Sequence, residues 1–158
     1  MAPHTNWQVP PTARPSIQWL TIHCSATHAG QDIDAAEIRR WHQAKGWQDI
    51  GYHWVIKRNG TLEIGRPAEQ TGAHVYGHNP GNLGICLIGG CDKQLQPQDN
   101  FTLAQRKTLF TLIAELQARY ALTDEQVKPH HAWSSHKACP VINLHATDFA
   151  THQTGSNT

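Results

Sequence analysis

Three side chains in this sequence have the types and positions to hold a catalytic metal ion: His23, His131 and Cys139. Each stands where a predicted element ends. His23 closes the first strand, His131 follows the last strand, and Cys139 lies eight residues further on. Strand ends feeding loops suit a site, because the sheet fixes the backbone while the loops shape a cleft. Two imidazoles and a thiolate are borderline-soft donors that suit Zn²⁺, and three protein ligands leave a fourth tetrahedral position open for chemistry. Such an ion lowers the pKa of water from about 15.7 to about 7 and polarises a carbonyl. Hydrolysis of a resistant bond also needs donors for the developing oxyanion, and Tyr52 and Lys137 are the phenol and ammonium placed to serve. Spacing by itself is weak support, since His23 and His131 are too far apart to form a local motif and no CxxC or HExxH occurs.

The elements that must position these residues are legible as alternation and caps. Ile17, Trp19 and Thr21 alternate with Gln18, Leu20 and Ile22 in a first strand that ends at His23-Cys24. Asp34 with Glu37 three residues later caps a helix whose inward stripe includes Ile38 and Trp41, and Gly46 stops it. Tyr52 to Lys57 reads as a strand, Asn59-Gly60 as a hairpin turn, and Thr61 to Ile64 as the returning strand. After a loop rich in Gly and His (71–82), Gly84 to Ile88 forms an apolar run suited to a buried strand. Thr102 and Gln105 form a capping box for a helix carrying Leu109, Leu112, Ile113, Leu116 and Tyr120 at helical spacing. A short strand over Val127 to His131 and a last helix over Leu144 to Ala150 complete the reading. The fold class is α/β: one domain over 16–150, a central mixed sheet flanked by about three helices, with an irregular arm over 1–15 and a flexible tail over 151–158.

Bulk properties bound the function. The chain has 158 residues, enough for one domain with a sizeable core. A formal net charge of +1 gives no electrostatic footprint for nucleic acid, so no nucleic-acid partner is expected. No run approaches the roughly 18 apolar residues of a membrane span. The first sixteen residues, MAPHTNWQVPPTARPS, hold no apolar signal core, so the reading is of a chain made in the cytoplasm without a signal peptide. In that reducing compartment the four cysteines are expected to be free or metal-bound, with Cys24, Cys86 and Cys91 as core thiols. Trp41, Trp47 and Trp54 are expected in the core.

At these residues the sequence resembles the type 2 N-acetylmuramoyl-L-alanine amidases, the fold shared with peptidoglycan recognition proteins, and within them a short single-domain phage amidase historically called a lysozyme. The segments that carry the resemblance are IHCSAT (22–27), EIRRWHQAKGWQDIGYHWVIKRNGTLEIGR (37–66), GAHVYGHN (72–79), LGICLIGG (83–90) and HHAWSSHKACP (130–140). The resemblance implies a monomeric enzyme with one Zn²⁺ per chain. It would cut the amide between N-acetylmuramic acid and L-alanine in peptidoglycan and act on the cell wall as an endolysin after release. It places His23 and Cys139 on zinc ligands, Tyr52 and Lys137 on residues that assist catalysis, and His74 on a histidine lining the substrate groove. Both His130 and His131 could match the second ligand histidine. The family interval of eight residues back from Cys139 selects His131, whereas a one-residue insertion in WSSH would select His130. His136 stands where the family often has a small loop residue. The phage relative also inhibits a viral RNA polymerase, and that activity is not carried over. The alternatives are a cytosolic muropeptide-recycling amidase, which usually carries Asp in place of Cys139, and a non-catalytic peptidoglycan-binding or polymerase-regulating protein.

Overall fold

The computed structural model describes residues 16–134 and 137–140. Five strands form one sheet: β1 (Trp19–Cys24), β2 (Trp54–Ile56), β3 (Leu62–Ile64), β4 (Asn82–Leu87) and β5 (Val127–Pro129), in the spatial order β3-β2-β4-β1-β5. β4 runs parallel to both β2 and β1, and β1 runs parallel to β5. Only β3 is antiparallel, paired to β2 through the turn that Gly60 makes at φ +88°. Among the described residues two helices, α1 (Ala35–Ala44) and α2 (Leu103–Tyr120), flank the sheet, with short 3₁₀ turns over Asp124–Gln126 and His130–Ala132. The helix expected over 144–150, the arm over 1–15, the tail over 151–158 and His136 lie outside the described residues. Among the described residues no helix is long and apolar enough to cross a membrane.

Parallel strands in the middle of a sheet must be covered on both faces, and β4 is buried along its whole length. On one face Leu20 and Ile22 of β1, Leu83, Ile85 and Leu87 of β4, and Trp54 and Ile56 of β2 pack against Leu109, Leu112, Ile113 and Leu116 of α2. On the other face Val55, Cys86 and Ile88 pack against Ala35 and Ile38 of α1 and against Ile50. Each fully buried aliphatic side chain contributes about 1.5–3 kcal/mol. Thr21 and His23 alternate with the first set, so they point to the α1 side, and there the sheet's α1 face passes from apolar to chemical.

The caps form as their residue types dictate. The Asp34 carboxylate accepts from the Glu37 amide, and Thr102 with Gln105 makes a reciprocal capping box. Gln105 is fully buried, and its Nε2 donates to the carbonyls of both Ile56 and Ile88, pinning the start of α2 across two strand ends. The inward stripe of α1 is Ala35, Ile38 and His42. Trp41 instead stands 37% exposed, its indole N–H donating to Glu37, and Trp47 is 39% exposed with the Lys45 ammonium over its ring. Of the three tryptophans expected in the core, only Trp54 is there.

Candidate metal centre

The sheet register decides which histidines meet. In the β1–β5 ladder Leu20 pairs with Val127, Thr21 with Lys128 and Ile22 with Pro129. The next residues in step are His23 and His130. Paired residues of neighbouring strands share a face, and the two imidazoles do meet, with Nδ1 atoms 3.1 Å apart and ring centroids 4.4 Å apart. The ligand atoms of His23, His130 and Cys139 all lie within 4.8 Å of one another. His131, selected by counting back from Cys139, is not in this group. It sits one residue into the 3₁₀ turn, and its backbone N–H donates to the Cys139 carbonyl at 3.1 Å, so it ties the two loops together through the main chain.

Cys139 is held from the opposite side. The backbone N–H of Cys24 donates to its sulfur at 2.7 Å. The interaction with the Cys24 thiol, then burial, pushes the Cys139 thiol above its usual range. A thiolate at Cys139 therefore calls for a cation beside it. The imidazoles point the same way. Burial, then the neighbouring His74 and His130 rings, hold His23 well below 6.5, and burial, then Lys137 and His131, lower His130. Both rings are neutral near pH 7 and can offer lone pairs. Two nitrogens each about 2.05 Å from a tetrahedral zinc lie about 3.3 Å apart, close to the separation found. The donor set and its geometry fit zinc.

The remaining residues fall at different depths. Tyr52 is half-buried with its ring centroid 4.9 Å from that of His23. Burial, then the Cys86, Cys139 and Cys24 thiols, raise its phenol well above 10. With its pKa raised, it is a hydrogen-bond donor in the neutral range. Lys137 is exposed, and its backbone N–H donates to the Ser134 carbonyl. Its charge is felt at His130. His74, expected on the groove wall, is buried behind His23: its Nδ1 lies 2.9 Å from His23 Nε2 and its Nε2 lies 2.8 Å from the Asn82 carbonyl oxygen.

Residues that the sequence did not single out complete the surroundings. Asn82 is fully buried; its Oδ1 accepts from the Thr21 hydroxyl, which in turn accepts from the Trp133 indole. That chain links the His74 loop to the turn carrying His130. The one signal of it in the sequence is the pair of glycines around His74, because a Cβ at Gly84 would stand 2.7 Å from the His74 ring.

The His-His-Cys group is a candidate metal site at the strand ends of a mixed α/β sheet. Residues 12–141 match the family described as N-acetylmuramoyl-L-alanine amidase, and the chain belongs to that family. An endolysin of Klebsiella phage KP32 is 43% identical over 133 residues, covering 84% of this chain and 86% of the relative. The endolysin of Escherichia phage T7 is 41% identical over 131 residues, covering 83% and 85%. Among solved structures, the N-acetylmuramoyl-L-alanine amidase LysC from Clostridium intestinale superposes with a TM-score of 0.71 at 25% identity over 96% of this chain and 93% of that one. Drosophila peptidoglycan recognition protein SD, at TM-score 0.65 and 22% identity over 84% and 76%, shares the fold.

Proposed function

We propose that this chain is a zinc-dependent endolysin that hydrolyses the amide between N-acetylmuramic acid and L-alanine in peptidoglycan. The observation that carries the reading is the 3.1 Å approach of His23 Nδ1 to His130 Nδ1 with the Cys139 sulfur beside them. Family membership and the phage endolysins among the relatives support the substrate and the lytic role.

His23, His130 and Cys139 would hold the ion, which when bound supplies a Lewis acid and water of lowered pKa. The chain's own residues then act around the amide. β1 holds His23, the 3₁₀ turn that follows β5 holds His130, and the Cys24 amide fixes the Cys139 sulfur, so the donors need little reorganisation. Tyr52, protonated, donates a hydrogen bond toward the carbonyl oxygen as charge develops on it. Lys137, on the exposed side, adds positive charge to the same oxygen. The L-alanine amine must gain a proton to leave.

Two measurements on the purified protein test this: zinc content per chain, and loss of turbidity of purified cell walls. One zinc per chain with lysis is expected, and Cys139→Ser should abolish lysis while retaining the fold. Full lytic activity from protein stripped of metal would refute the proposal. Release of peptide from soluble muropeptides without any attack on intact walls would leave the recycling amidase as the reading.

A further inference from the structure

With a neutral His74 ring, the hydrogen bonds behind His23 run in one direction. The Asn82 carbonyl oxygen can only accept, so His74 Nε2 carries a proton and donates to it at 2.8 Å. In the neutral ring Nδ1 is then bare and accepts, so the proton in the 2.9 Å contact with His23 belongs to His23 Nε2. That leaves His23 Nδ1 without a proton. It is the nitrogen that faces His130 Nδ1, and the one on which a cation would need a lone pair.

The His74 ring is built into place. Its own backbone N–H and that of Val75 both donate to Asn79 Oδ1 at 2.8 Å. Glycines give the ring its room: a Cβ at Gly84 would lie 2.7 Å from its Cγ, and one at Gly72 would lie 2.8 Å from its Cδ2. The acceptor is equally fixed, since Asn82 is fully buried and its Nδ2 donates to the His78 carbonyl while its Oδ1 accepts from Thr21.

We propose that His74 is a positioning residue of the metal centre: through a His23–His74–Asn82 relay it selects the tautomer and ring angle of His23, and so sets metal affinity without touching substrate. The inference rests on the zinc reading above. A ligand histidine that donates its other N–H to a fixed acceptor is a recurring device, and losing that acceptor typically costs about 10–100-fold in metal affinity.

The test compares wild type, His74→Phe and His74→Asn by chelator competition for zinc, by the visible spectrum of the cobalt-substituted proteins, and by KM and kcat on a soluble muropeptide. His74→Phe keeps the ring shape and removes both nitrogens. Its zinc affinity should fall about 10–100-fold and its cobalt bands should change, with KM of the zinc-saturated protein unmoved. His74→Asn can return an acceptor oxygen near the Nδ1 position and should recover most of the lost affinity. Zinc affinity of folded His74→Phe within twofold of wild type overturns the proposal, as does a raised KM with affinity intact. Should that variant fail to fold, imidazole ¹⁵N spectra of the wild type decide. Nε2–H tautomers at both His23 and His74 are expected, and Nδ1–H at His23 overturns the relay. A wild type that binds no zinc removes the metal reading itself, whereas normal zinc binding with an unmoved variant removes only the role of His74.

Discussion

His130 and His131 are adjacent, chemically identical, and assigned opposite roles, so replacing each by alanine is a direct test of the geometry. His130 supplies a ring nitrogen 3.1 Å from that of His23, and its loss leaves two protein ligands. Structural zinc sites with four ligands bind with about 10–16 kcal/mol, or about 2.5–4 kcal/mol per ligand if shared evenly, so His130→Ala should weaken zinc about 10²–10³-fold. His131 contributes its backbone N–H to the Cys139 carbonyl, a bond that alanine keeps. Its half-buried side chain is absent from the metal group, so His131→Ala should bind zinc within about threefold of wild type and lose no more than about 1 kcal/mol of stability. Competition with a chromophoric chelator measures both affinities, and cell-wall turbidity should follow the same order. The reverse pattern, zinc lost from His131→Ala and kept by His130→Ala, would refute the register argument outright. Equal loss in both would mean that the loop connection, rather than the ring, carries the effect.

Further predictions follow from the same structure. Cys139→Ser should lose lysis and most bound zinc while keeping the wild-type far-UV circular dichroism, because the Cys24 amide can still donate to a hydroxyl. His42 titrates at about 4, lowered by burial and then by Lys45 and Arg66. The folded ring therefore stays neutral while the unfolded chain takes up a proton below about 6.5, and stability present above that pH is lost as pH falls toward 4; an NMR midpoint for His42 near 6.5 would contradict this. Gln105→Ala removes the donor to two strand-end carbonyls and the acceptor for the Thr102 amide. It should cost about 3 kcal/mol, which calorimetry would read as a melting shift of roughly 6–12 °C.

What the sequence made legible was local. The strand alternation before His23, the Asn59-Gly60 turn and the capping box at Thr102 each depend on neighbours a few residues apart, and each is found in place. The inner face of α1 was read less well, because its period admits either Trp41 or His42. His42 faces inward since its Nδ1 accepts the buried Gly51 amide at 2.9 Å, a contact made nine residues away in a loop of no regular pattern. For His74 the sequence shows only a loop rich in glycine, which resembles an exposed segment until the close approach of Gly84 to the ring is known.

The choice between His130 and His131 shows where reading along the chain must stop. Counting from Cys139 measures distance through a loop, and one added residue in a loop changes the count without moving either end. The β1–β5 ladder measures something different. Once Ile22 is hydrogen-bonded in step with Pro129, the residue after each must share a face, and a one-residue slip would turn Thr21 and His23 away from their partners and place Leu20 and Ile22 where the metal group stands. The apolar packing of Leu20 and Ile22 against α2 therefore fixes the register, and the register places His130 beside His23. In this protein the core residues on one face of the sheet choose which histidine meets His23 on the other.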